Sequence, residues 1–167
     1  MAHEKLSEAE AVRAFWDHLT HGTSVMLGLN APDHHTQPMT TFGEPATEEI
    51  WFFARDDTDM AREALTGCEA RMVYADGGRE VFADIVGTIE IAHDEGRIDR
   101  YWNPMVAAWY PEGKDDPHLT MLRFTPREGQ VWVSEKGALR VAFEVAKANI
   151  TKTMPNVGGS ADVRFTH

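Results

Sequence analysis

Cysteine is nearly missing from this chain: Cys68 is the only one in 167 residues, so no internal disulfide can form, which points to a reducing cytoplasm. Long hydrophobic runs are missing too. No stretch approaches the roughly 18 apolar residues that span a bilayer, and the N-terminus, MAHEKLSEAE, has neither the basic start nor the apolar core of a secretory signal. Positive charge is scarce, with 16 Lys and Arg against 27 Asp and Glu and a formal net charge of -11. Such a surface repels a polyphosphate backbone and disfavours nucleic-acid binding. A pocket is less constrained, since a few arginines and backbone N–H groups can hold a single phosphate. Also absent are the G-x-S-x-G elbow, the P-loop, G-x-G-x-x-G and H-E-x-x-H, and with them the mechanisms those patterns serve.

What remains is an ordinary globular composition, 43% hydrophobic and 26% charged, in a length suited to one domain with a real core. Ser7 and Glu10 form a capping box with Leu6 and Ala11 as staple, and Val12, Phe15, Trp16 and Leu19 recur on one helical face. This predicts a helix over residues 7–20. From Ser24 the period falls to two, with Val25, Leu27 and Leu29 facing inward. QPMTTFG (37–43) and EIWFFAR (49–55) read as two further strands, and TDMAREALTG as a short helix capped by Asp57 or Thr58 and stopped at Gly67. ARMVYAD and EVFADIVGTIEIA flank a turn at Asp76–Arg79 and make a hairpin, with Gly87 marking a bend or bulge. LTMLRFT and QVWVS read as two strands about a turn at Pro126–Gly129, and a final helix over 138–150 carries Leu139, Ala142, Phe143, Ala146 and Ile150 inward. Residues 153–167 show no period. Six or seven short strands with helices at the ends and one inserted predict an α+β fold built on an antiparallel barrel.

The candidate chemistry is thin. His18 and His21, and the adjacent His34 and His35, lack a third ligand, so no metal site is expected. Glu112, Asp115 and Asp116 could form an acid/base pair or simply a solvated turn. Cys68 follows a helix C-terminus, where nothing lowers its thiol pKa.

The stretch YWNPMVAAWYPEGKDDP (101–117) concentrates two tryptophans, two tyrosines and three prolines. Asn103 as cap and Pro104 at the first helical position start a second helical turn, so two short helices meet at a corner within residues 94–110. Met105, Val106 and Trp109 fall on one side of the second. Tyr101, Trp102 and Trp109 either fill the gap between these helices and the barrel or wall an interface or ligand site.

This stretch resembles the W-N-P, A-A-W and P-x-G-x-D-D-P pattern of the general stress protein branch of the pyridoxamine 5'-phosphate oxidase-like flavin proteins. QPMTTFG, EIWFFAR and QVWVS are similar to that family's strands, and the resemblance covers roughly residues 7–150. It implies a split barrel and a homodimer with FMN at the dimer interface; FAD, deazaflavin and haem are the less favoured ligands. By this resemblance Met39, Thr40 and Thr41 lie along the flavin ring, and Phe53, Ala54 and Arg55 lie near the ribityl chain and phosphate. Trp132 reaches the ring from the partner, and Trp109 belongs to the signature. Two departures stand out: Ala54 replaces a frequent threonine, and no lysine follows the third strand near Met60–Arg62. The forked guanidinium groups of Arg55 and Arg62, with N–H groups at the start of the helix over 58–66, are the expected replacement for that lysine.

The implied activity is redox chemistry on an unidentified small molecule, for which Tyr110, His118 and the His34/His35 turn are candidate substrate-side groups. The alternatives are a flavin carrier or sink without turnover, and a cofactor-free structural dimer. An exposed apolar patch on so aromatic a small barrel argues separately for a homodimer.

Overall fold

The computed structural model describes residues 6–19, 22–134, 138–152 and 158–166, with side chains of 138–141 outside the description. Helix α1 (Glu8–His18) begins as its sequence dictates. The Ser7 side chain accepts from the Glu10 amide, and Glu10 accepts from the Ser7 amide in return. Ala11 and Phe15 are buried, and Leu19, just beyond the helix, joins them. His21, the second member of the helical histidine pair, lies outside the described residues.

The strands form one eight-stranded antiparallel sheet. They are β1 (Ser24–Leu29), β2 (Gln37–Thr40), β3 (Phe42–Glu44), β4 (Glu49–Arg55), β5 (Cys68–Ala75), β6 (Val81–Ile91), β7 (Leu119–Ser134) and β8 (Gly158–Arg164). Their spatial order is β2-β1-β5-β6-β7-β4-β3, with β8 added to β7. The two ends of that path, β2 and β3, are separated in the chain by Thr41 alone. A sheet whose two edges are one residue apart must curl until they meet, so Thr41 closes the barrel. The single strand expected over 37–43 is therefore two strands at opposite edges. Thr41 is fully buried. Its amide donates to the Thr23 carbonyl at 2.8 Å, its carbonyl accepts from the Gly22 amide at 2.9 Å, and its hydroxyl donates to Thr23 O at 3.1 Å.

A second departure is β7, one 16-residue strand where a turn at Pro126–Gly129 is expected. Its first half pairs with β4 and its second half with β8, while β6 runs along the other edge throughout. The register slips between Val86 and Gly87, opposite Pro126. A bulge there absorbs the missing proline N–H without ending the ladder. β8 occupies part of the stretch that shows no sequence period; its Ala161 and Val163, and Phe165 just beyond, are buried. Phe165 meets Phe15 and Trp16 edge-on at 5.5 and 6.1 Å, which seats α1 on the barrel.

Helix α2 (Asp59–Glu63) has five residues and tightens to 3-10 over Ala64–Thr66, with Thr58 and not Asp57 as cap. The inserted pair is α3 (Glu95–Tyr101), capped by Asp94, and α4 (Pro104–Ala107), whose Met105 and Val106 amides both donate to Asn103 Oδ1. Arg97 binds this insertion to the barrel: it donates to Asp94 at 2.8 Å and to Glu44 at 3.0 and 2.8 Å, and lies 4.1 Å above the Trp51 ring. Burial pushes the Glu44 carboxyl up, but hydrogen bonds from Arg97 and Tyr101 outweigh it and hold it below its ordinary value. Helix α5 (Ala138–Thr151) departs most from expectation. Phe143 and Ile150, assigned to its inward face, are 65% and 81% exposed.

Candidate functional site

The aromatic stretch builds a core of its own. Phe42, Trp51, Tyr101, Tyr110, Leu119 and Met121 form a second buried cluster around Ile98 and Val106, separate from the barrel interior. Phe53 packs against it, edge-on to Phe42 at 5.5 Å and to Trp102 at 5.9 Å. Helix α4 does not present Met105, Val106 and Trp109 together. Val106 turns in, while Met105 and Trp109 are 72% and 73% exposed.

This cluster positions the end of β4. The Tyr110 hydroxyl donates to the Ala54 carbonyl at 2.8 Å, and burial raises its pKa to about 12, so the phenol stays protonated. Beyond Ala54 the chain turns polar. The Arg55 guanidinium donates twice to Asp57, at 3.1 and 2.9 Å. That contact holds the Asp57 carboxyl below its ordinary value and lifts the Arg55 pKa further. Nδ1 of His118 lies 2.8 Å from Asp56, its amide donates to Asp116 at 3.0 Å, and its carbonyl accepts from the Asp56 amide at 3.0 Å. The hydrogen bond to Asp56 raises the His118 pKa. Asp56, Asp57 and His118 each bring one ligand atom within 4.8 Å of the others, all exposed. Arg55 and His118 already supply their countercharge, so a salt-bridge group describes the cluster.

Tyr110 and His118 thus converge on the end of β4, while in the His34/His35 turn His34 lies 3.4 Å from Glu63, the last residue of α2. Asp56 and Asp57 are contributors the sequence reading missed. The signal for them is the doubled acid in RDDTD, echoed by KDDP.

Arg62 sits in the last turn of α2, and its guanidinium donates to Asp59 at 3.0 Å. The Thr58 side chain already accepts the Ala61 amide at the start of that short helix. On the other side, Met39 and Thr40 are half-exposed on β2, which pairs only with β1 among the described residues, while both backbone groups of Thr41 are engaged in barrel closure. Trp132 projects from the outer face of β7, 39% exposed and opposite Phe82.

Comparison with known proteins matches residues 10–156 to the family described as pyridoxamine 5'-phosphate oxidase like. A solved structure from Jannaschia sp., assigned to general stress protein 26, is 32% identical over 95% of this chain and 100% of its own, with TM-score 0.83. The general stress FMN/FAD binding protein of Xanthomonas citri is 36% identical over 77% of this chain and 92% of its own, with TM-score 0.70. A general stress family protein of Xanthomonas campestris is 35% identical over 82% and 93% of the two chains, with TM-score 0.69. No curated protein sequence matches significantly. The curled antiparallel sheet, the aromatic insertion and these matches agree that the chain belongs to the pyridoxamine 5'-phosphate oxidase-like family, beside its general stress proteins.

Proposed function

We propose that the chain is a cytoplasmic flavin-binding homodimer, with FMN as its cofactor and redox activity toward a small molecule. The observation that carries this reading is the 36% identity, over 77% of this chain, to a protein described as FMN/FAD binding. The residues present fit a flat ring better than they fit its phosphate. Met39, Thr40 and Trp132 offer open surface to a ring, and Phe53 and Ala54 lie at the end of β4 nearest the polar group. The phosphate would fall to Arg55 and Arg62, each of which now holds a carboxylate. A bound flavin supplies hydride or single-electron transfer, and the protein's part is to orient it and exclude water. Tyr110 keeps its proton and locks the β4 end, so it serves position and not acid/base exchange.

The test is an absorbance spectrum of the purified protein before and after FMN is added, followed by fluorescence titration with FMN, FAD and riboflavin. Tight binding with quenched flavin fluorescence supports the reading, and Arg55→Ala with Arg62→Ala weakens FMN at least tenfold while leaving riboflavin nearly unchanged. A colourless protein that ignores all three flavins overturns it. The bidentate Arg55–Asp57 pair favours a second reading in that event, a dimer of the same fold without cofactor. If flavin binds but NADH and NADPH drive no turnover with a broad acceptor panel, the protein is a carrier.

A further inference from the structure

We infer that α5 is an arm that docks on the outer face of the barrel of a second copy of this chain. The inference rests on the homodimer proposed above and adds the contact that makes it.

The chain has no topological need of α5. Ser134 and Gly158 are register partners at the ends of β7 and β8, a hairpin that a few residues would close, yet 23 residues of sequence lie between them. The helix between them is amphipathic in the wrong sense for its own barrel. Its covered side carries Glu144 and Ala148, at 16% side-chain and 9% residue exposure, while Phe143 and Ile150 stand out at 65% and 81%. Phe143, Ala146, Lys147, Ile150 and Thr151 line a shallow apolar groove along that outward side. A helix with its apolar stripe in water lacks the burial that stabilises helices in proteins, so a surface from outside must cover it.

The barrel offers such a surface. Met26 and Val73 are 40% and 38% exposed, and with the half-buried Phe82 they share the outer face across β1, β5 and β6, where Asp84 stands in register with Val73. Three adjacent strands span about 10 Å, and a helix of 14 residues is about 21 Å long, enough to cross them. Charge agrees. Residues 135–152 hold four of the chain's 16 basic groups and two of its 27 acidic ones, so the arm is the basic part of an acidic molecule. Lys147 stands at the rim of the groove, and Asp162 lies on the β8 strand in the same register row as Met26 and Val73. Because the arm follows the end of β7, one two-fold axis brings each arm over the other's patch, an isologous contact used twice.

Sedimentation of the wild type and of Phe143→Asp/Ile150→Asp tests the arm. A wild-type dimer and a double variant that sediments as an 18.7 kDa monomer are expected. Circular dichroism should remain that of the wild type, because neither side chain belongs to a buried cluster. In a Cys68→Ser background, differently tagged chains carrying Ile150→Cys and Val73→Cys are co-expressed. They should form a disulfide between chains, and Leu65→Cys in place of Val73→Cys should not. A double variant that stays dimeric, or no cross-link at Val73, overturns the arm and leaves the dimer standing. A monomeric wild type overturns both. A monomer whose α5 binds phosphatidylserine vesicles, lost on Phe143→Asp/Ile150→Asp, assigns the groove to a lipid surface and overturns the arm. Flavin titration of the wild type reports on the cofactor separately from the arm.

Discussion

The hydroxyl of Tyr110 donates to the carbonyl oxygen of Ala54 across 56 residues of sequence, at 2.8 Å and in a buried setting. It ties the end of the aromatic insertion to the strand end where the resemblance places the ribityl chain. Tyr110→Phe leaves that carbonyl without the donor. A loss of about 1–3 kcal/mol is expected for a buried group stripped of its partner, read as a lower urea midpoint with unchanged slope. If a flavin is bound, its affinity falls as well, because the β4 end is no longer fixed.

His118 gives the same region a pH dependence. Its folded-state pKa lies above the ordinary 6.5 because of its hydrogen bond to Asp56. A raised pKa means that the protonated form is favoured on folding, so the contribution is complete below about 6.5 and declines as pH rises through the folded value. The imidazole resonances of His118 should titrate above 6.5 in the native protein, and Asp56→Asn should bring them down. No downward movement in that variant would place the cause elsewhere.

Much of this was legible in the sequence. Ser7 and Glu10 announce α1, the alternation Val81, Ala83, Ile85 gives the inner face of β6, and Gly87 marks its bulge, because each is a local pattern with a local cause. What was not legible is set by distant partners. Nothing within QPMTTFG reveals that Thr41 divides two strands at opposite edges, since that division follows from closure of the whole sheet. Pro126 reads as a turn until Gly87 is known to lie opposite it. At the candidate site the sequence names residues and not their pairing: the carboxylates that hold Arg55 and Arg62, Asp57 and Asp59, are neighbours whose claim only side-chain geometry reveals.

That claim can be tested. Asp57 accepts two hydrogen bonds from Arg55, so a phosphate arriving at Arg55 meets a guanidinium whose charge a carboxylate already counters. Asp57→Asn removes the competing charge and keeps the shape. FMN affinity should rise several-fold relative to wild type, and riboflavin affinity should not change, because riboflavin has no phosphate. Equal gains for both ligands, or none for either, would show that Arg55 does not meet the phosphate.

The bulge at Gly87 yields the sharpest stability prediction. A Cβ built there runs into the Thr125 carbonyl, the Phe124 ring and Pro126 Cα, of which the first and last are backbone and cannot rotate away. Gly87 is also where β6 slips register so that β7 continues past Pro126. Gly87→Ala therefore forces the two longest strands apart at the point where the barrel curls, and overpacking of this kind costs about 1–3 kcal/mol or more. Gly77→Ala is the control, since a Cβ at Gly77 meets nothing within 4 Å. Thermal unfolding should show a fall of several degrees for Gly87→Ala and a change near zero for Gly77→Ala. Equal melting temperatures would mean that the strands yield at the bulge, and β7 would then be expected to break at Pro126 into the two strands its sequence suggests.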